Sequence, residues 1–111
     1  MNERRSVPRY LADVAAQISH AEGEGFKVIV EILSTQGACV RGNDLPAAGQ
    51  RCRLTLQWLS ERIQAEAEVA WKSHQGLAGL KFVSLDESGS SSLRELLATL
   101  RMQPVIPGKM E

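Results

Sequence analysis

Aromatic side chains are scarce in this sequence: two Trp, two Phe and one Tyr among 111 residues. Val, Ile, Leu and Ala must therefore fill any core. No excess charge of one sign exists either, because 13 basic and 13 acidic residues give a formal net charge of zero. Bulk attraction to nucleic acid or to a membrane surface is not expected, so any anion site has to be a local cluster. Only two cysteines are present, Cys39 and Cys52. They make no disulfide framework, and reduced, mostly buried thiols are the expectation. With His20 and His74 they form no metal-ligand spacing. No apolar run approaches the roughly 20 residues of a membrane-spanning helix. The N-terminus lacks the apolar block of a secretory signal, so a cytoplasmic chain without membrane insertion is expected.

What is there suits one small globular domain: 43% hydrophobic and 23% charged residues in a length that can bury a core without staples. Residues 1–10 are polar and basic, and Pro8 forbids a regular element interior there. From Leu11 to Ser19 the pattern alternates, with Ala12, Val14, Ala16 and Ile18 on one face. Two glycines in His20–Gly25 suit a hairpin connection. Phe26–Ser34 is a second strand rich in β-branched residues, and Ala38–Arg41 restarts extended structure after Gly37. Gly42–Gly49 reads as a loop. Arg51–Leu59 and Ile63–Trp71 alternate again, with Ser60–Arg62 as the turn between them. The inward set expected is Cys52, Leu54, Leu56 and Trp58, then Ile63, Ala65, Ala67, Val69 and Trp71. Leu77–Leu85 is another strand. Strands at this even spacing argue for a small antiparallel barrel or a sandwich.

The last element differs. Leu93, Leu96, Leu97 and Leu100 recur at helical spacing, and Ser92 with Glu95 suits a capping box. Asp86 and Glu87 suit the positive end of the helix dipole and Arg101 the negative end. Pro104 and Pro107 stop the helix. Such a one-faced helix should cover an open edge or mouth of the barrel. The domain reading is thus an arginine-rich, flexible segment at 1–10, a barrel with its helix at 11–102, and a loose tail at 103–111.

Two short constellations could carry chemistry. Arg4, Arg5 and Arg9 place three guanidiniums within six residues. Each fork can hold phosphate oxygens through paired hydrogen bonds and can stack on a nucleobase. A solvated basic terminus is the plainer reading of that cluster alone. Ser34-Thr35-Gln36-Gly37 closes the second strand with a hydroxyl and a glycine, which alone is an ordinary strand-end turn.

In this order, Arg5-Ser6-Val7-Pro8-Arg9 and Ile32-Leu33-Ser34-Thr35-Gln36-Gly37 resemble the R-x-x-x-R and (D/N)-x-S-x-x-G signature of PilZ domains. The resemblance continues through Gly49–Leu56, Ala67–Trp71, Gly79–Phe82 and the closing helix, covering roughly residues 3 to 102. It implies a mainly β fold: a six-stranded antiparallel barrel with a C-terminal α-helix packed at one end. It also implies a receptor for cyclic di-GMP in bacterial second-messenger signalling, of the kind that governs motility and biofilm. The expected function is a single-domain adaptor, not an enzyme, that engages a protein target when the ligand binds. By the same resemblance, Arg5 and Arg9 clamp phosphates and stack on guanine. Arg4 adds a contact associated with two intercalated copies of the nucleotide. Ser34 hydrogen-bonds the ligand and Gly37 permits its close approach.

Ile32 departs from the pattern, because it stands where the family carries Asp or Asn against the guanine edge. Losing that bond in a desolvated site costs about 1–3 kcal/mol. A PilZ protein-interaction module that binds the nucleotide weakly or not at all is therefore the alternative reading. Strand parity counted back from an outward Ser34 puts Val28, Val30 and Ile32 on the outer face. That stripe is a candidate homodimer surface, unless the strand is simply buried on both faces. Trp58 and Trp71 are expected in the core, and Glu66 and Glu68 on a solvated face rather than as a catalytic pair. No nucleophile–base set and no resident cofactor or metal are expected.

Overall fold

The computed structural model describes residues 8–19 and 25–102. Arg4, Arg5, the connection after Ser19 and the proline-containing tail lie outside the described residues. Six strands run in chain order: β1 Tyr10–Ser19, β2 Gly25–Leu33, β3 Gly37–Arg41, β4 Arg51–Trp58, β5 Glu61–Lys72 and β6 Leu77–Leu85. One helix follows, α1 Glu87–Met102. All strand pairs are antiparallel, and they close a barrel in the order β1-β2-β3-β6-β5-β4. Even strand spacing left a barrel or a sandwich open; the barrel that the resemblance implies is the architecture found, and closure leaves no sheet edge to protect.

Alternation builds the interior. Ile18, Val30, Leu33, Val40, Leu54, Leu56, Ile63 and Val69 are essentially inaccessible and meet in one aliphatic core. Helix α1 closes that core by burying Leu93, Leu96, Leu97 and Leu100, the leucines whose spacing predicted it. Leu45, from the long β3–β4 loop, is buried in the same cluster. Its carbonyl accepts a hydrogen bond from Lys72 Nζ at 2.9 Å, which ties the loop to the end of β5.

Three local expectations are corrected. The β4–β5 turn is the two-residue Leu59-Ser60, with Trp58 paired to Glu61, rather than Ser60–Arg62. Leu59 takes a positive φ of 57° there. The helix begins six residues before Leu93, and its cap is Asp86, not the Ser92/Glu95 box. Asp86 Oδ1 accepts from Gly89 N at 2.6 Å, and the Asp86 carbonyl accepts from Ser90 N at 2.9 Å. Ser92 instead donates its hydroxyl to Glu61 across the barrel mouth.

The third correction concerns parity. The β2–β3 register steps from Val30↔Val40 to Ile32↔Cys39, which leaves Glu31 as an extra residue. Such a bulge reverses the facing of everything before it. Val28 and Val30 therefore point inward, 4% and 0% exposed, and Ile29 points outward and half-buried. The Val28/Val30/Ile32 outer stripe does not exist, and the homodimer surface drawn from it falls with it. A second bulge at Ala70, between Val69↔Leu80 and Trp71↔Gly79, turns Trp71 out of the core to 46% exposure.

Candidate functional site

A groove of about 320 Å³ lies on the β3/β6 wall. Its lining includes Arg9, Ile32, Ser34, Gln36, Trp71 and Lys81. Four separate stretches of chain converge here: the segment before β1, the β2–β3 turn, the bulged end of β5, and β6.

The turn is built by Ser34. Its backbone N donates to the Gly37 carbonyl at 2.9 Å. Its Oγ accepts from the backbone N–H groups of Gln36 and Gly37, at 3.0 and 3.2 Å. The side chain is thereby drawn in, and the residue is only 8% exposed. Phe82 N donates to the Gln36 carbonyl at 2.9 Å, which fastens the turn to β6. Gly37 is dictated by this approach: a Cβ there would lie 2.2 Å from the Leu80 carbonyl oxygen. Its missing side chain serves strand contact before it serves any ligand.

Trp71 is the functional candidate that alternation misassigned. Its indole lies flat on β6 at Gly79, where an added Cβ would sit 2.1 Å from Nε1 and 2.5 Å from Cε2. The glycine is the seat of the ring, and Trp71 lines the groove while 46% exposed. The signal in the sequence is Trp71 eight residues before a glycine in the next strand, but the bulge at Ala70 hides it.

Arg9 and Lys81 supply two cations, and among the described residues no carboxylate lines the groove. Glu31, next to Ile32, is ion-paired with Arg41 on β3, and Glu68 stands opposite Lys81 in the β5–β6 register. Cys39 lines the groove too, and burial followed by the Glu31 carboxylate pushes its thiol pKa up, so it stays neutral. Ile32 contributes an apolar contact at the position where a carboxylate or amide would read a base edge. Of the residues singled out from sequence, Arg9, Ile32, Ser34 and Gly37 are thus brought together. Among the described residues no group of His, Cys, Asp and Glu could hold a metal ion. No helix among them is long and apolar enough to cross a membrane.

A closed six-stranded barrel capped by one helix, with a cationic groove on its wall, defines a small β-barrel module. The PilZ domain model matches residues 3–99, and the chain belongs to the PilZ domain family. That family is one of nucleotide-binding regulatory modules, and no catalytic family is indicated. The fold is similar to that of the Bacillus subtilis inhibitor of motility (MotI/DgrA), with TM-score 0.71 and 20% identity over 92% of this chain. This chain spans 54% of that one's length. It is also similar to the PilZ domain of CeSA from a cellulose-synthesizing bacterium, with TM-score 0.69, 16% identity and coverage of 85% and 98% of the two chains. The PilZ domain of YcgR from Escherichia coli, solved with c-di-GMP, matches with TM-score 0.69 and 14% identity. Coverage there is 89% of this chain and 92% of that one. Comparison with curated proteins gives no significant match.

Proposed function

We propose that this chain is a cyclic di-GMP receptor that acts as an adaptor toward a protein target. The observation that carries the reading is the convergence of Arg9 with the Ser34–Gly37 turn in one cationic groove. Arg9 and Lys81 hold phosphate oxygens, Arg9 by its planar fork and Lys81 as a point charge. Arg4 and Arg5 add guanidiniums from the segment ahead of Arg9. The exposed indole of Trp71 offers a guanine a stacking surface worth about 1–3 kcal/mol. Ser34 acts chiefly by shaping the turn whose backbone borders the ligand. Binding orders the arginine segment against the barrel, and the altered surface engages the target. Isothermal titration with cyclic di-GMP tests this. Saturable heat in wild type and its loss in Arg9→Ala are expected; no heat at tens of micromolar protein and ligand would refute it.

One observation favours a second reading, a PilZ interaction module with little nucleotide affinity. Ile32 lines the groove itself, so a guanine edge laid against it goes unpaired. On that reading Ile32→Asp raises affinity by about one to two decades from a weak or absent baseline. Submicromolar binding by the wild type would eliminate it.

A further inference from the structure

The barrel has a second groove, of about 510 Å³, on the outer face of β2, β1, β4 and β5. In the ring order β1-β2-β3-β6-β5-β4, its β1/β4 centre is opposite the β3/β6 groove. Strand register explains its make-up. One rung runs Lys27 to Gln17, Gln17 to Thr55, and Thr55 to Gln64 across four strands. The next rung sets Ile29 against Ala15 and Gln57 against Arg62. Small Ala15 forms the trough, and Ile29 leaves a half-buried apolar floor beside it.

The charges on this wall are one-sided. Among the described residues the groove lining holds Lys27 and Arg62 and no carboxylate. Neighbouring acids are already engaged: Glu31 with Arg41, and Glu66 with Arg53 at 2.7 Å. Glu61, next to Arg62, accepts the Ser92 hydroxyl. Among the described residues neither Lys27 nor Arg62 has an ion-pair partner. Between them stand three exposed glutamine amides, able to donate and accept along an extended backbone.

We infer that this wall docks an extended acidic segment of a partner protein. Charge complementarity selects the occupant. A second copy of the chain is disfavoured, because an isologous pairing would bring Lys27 and Arg62 against the same cationic surface. Single-stranded nucleic acid is disfavoured because among the described residues no aromatic side chain lines the groove for bases to stack on. Lys27 and Arg62 are three strands and one rung apart, roughly 16 Å at ordinary strand spacing. Two carboxylates four residues apart share one face of an extended peptide about 13 Å apart, and the long Lys27 and Arg62 side chains close the difference. The inference is independent of the nucleotide reading, since it uses the opposite wall.

The test is an amide-resolved NMR titration of the intact chain. The probe is a nine-residue Ser/Thr/Val peptide bearing Glu at its second and sixth positions, with its Gln-substituted twin as control. At about 50 mM salt, where a surface charge contact is weakly screened, the acidic peptide should bind about tenfold more tightly than the twin. Its shifts should centre on the two rungs. The exposed double variant Lys27→Gln/Arg62→Gln should erase that difference while keeping the wild-type spectrum elsewhere and the wild-type nucleotide titration. Equal binding of the two peptides, or none by either, would overturn the assignment. So would shifts centred on Arg9 and Trp71, loss of nucleotide binding in the double variant, or self-association through this wall.

Discussion

Gly79→Ala is the sharpest probe of how the β3/β6 groove is built. Gly79 has no positive φ, so alanine fits the backbone, and the difficulty is space alone. The new methyl would sit 2.1 Å from Trp71 Nε1, and the adjoining strand backbone leaves the indole as the group that has to move. Trp71 is 46% exposed, so lifting it uncovers about 100 Å² of largely apolar ring from a side chain that buries about 200 Å² when covered. At about 25 cal/mol per Å² this costs about 2.5 kcal/mol as an upper bound. Replacing a strand glycine returns about 0.5–1 kcal/mol. A net loss of about 1.5–2 kcal/mol is expected, which lowers Tm by roughly 6–8 °C in a domain of this size. Calorimetric melting of wild type, Gly79→Ala, Trp71→Ala and the double variant measures it. If the cost acts through the indole, Gly79→Ala becomes neutral or stabilising once Trp71 is gone. An equal cost in both backgrounds would refute the reasoning.

Three further outcomes follow from local geometry. Ser34→Ala removes the acceptor for two backbone N–H groups in a part-buried turn. It should lower urea stability by about 1–2 kcal/mol without any ligand present. Asp86→Ala should cost about 1 kcal/mol through loss of the helix cap, and Asp86→Asn should recover most of it in the same urea titration. Both thiols are held above the ordinary value of 9.0, by burial first and then by Glu31 for Cys39 and Glu66 for Cys52. A raised folded pKa means the thiols' contribution is full below pH 9 and is lost above it, as only the unfolded chain ionises. The Cys39→Ala/Cys52→Ala variant should therefore lose less stability than wild type between pH 8 and pH 10.

The strands, their number and the leucine face of α1 were legible because period-2 and period-3.6 patterns survive in the residues that fill the core. Glu31 and Ala70 were not. A bulge inserts one residue without disturbing composition, so counting parity across it assigns the wrong face. That single cause put Val28 and Val30 outside and Trp71 inside. The helix cap was missed for another reason. The serine run before Leu93 offers several N-cap candidates, and only the docking of the first turn selects Asp86. Arg9, Ser34 and Gly37 were legible as a motif. The seat that Gly79 makes for Trp71 and the contribution of Lys81 arise from strand register, which no local pattern carries.

The central claim is that a cyclic dinucleotide lies in the β3/β6 groove against Arg9 and the exposed indole of Trp71. Tryptophan emission reads this directly in a Trp58→Phe background, where Trp71 is the remaining indole. Cyclic di-GMP should quench that emission saturably, and Arg9→Ala should shift the midpoint to at least about tenfold higher ligand, the loss of one charged phosphate contact. Calorimetric binding with unchanged Trp71 emission, or quenching indifferent to Arg9, would contradict the account.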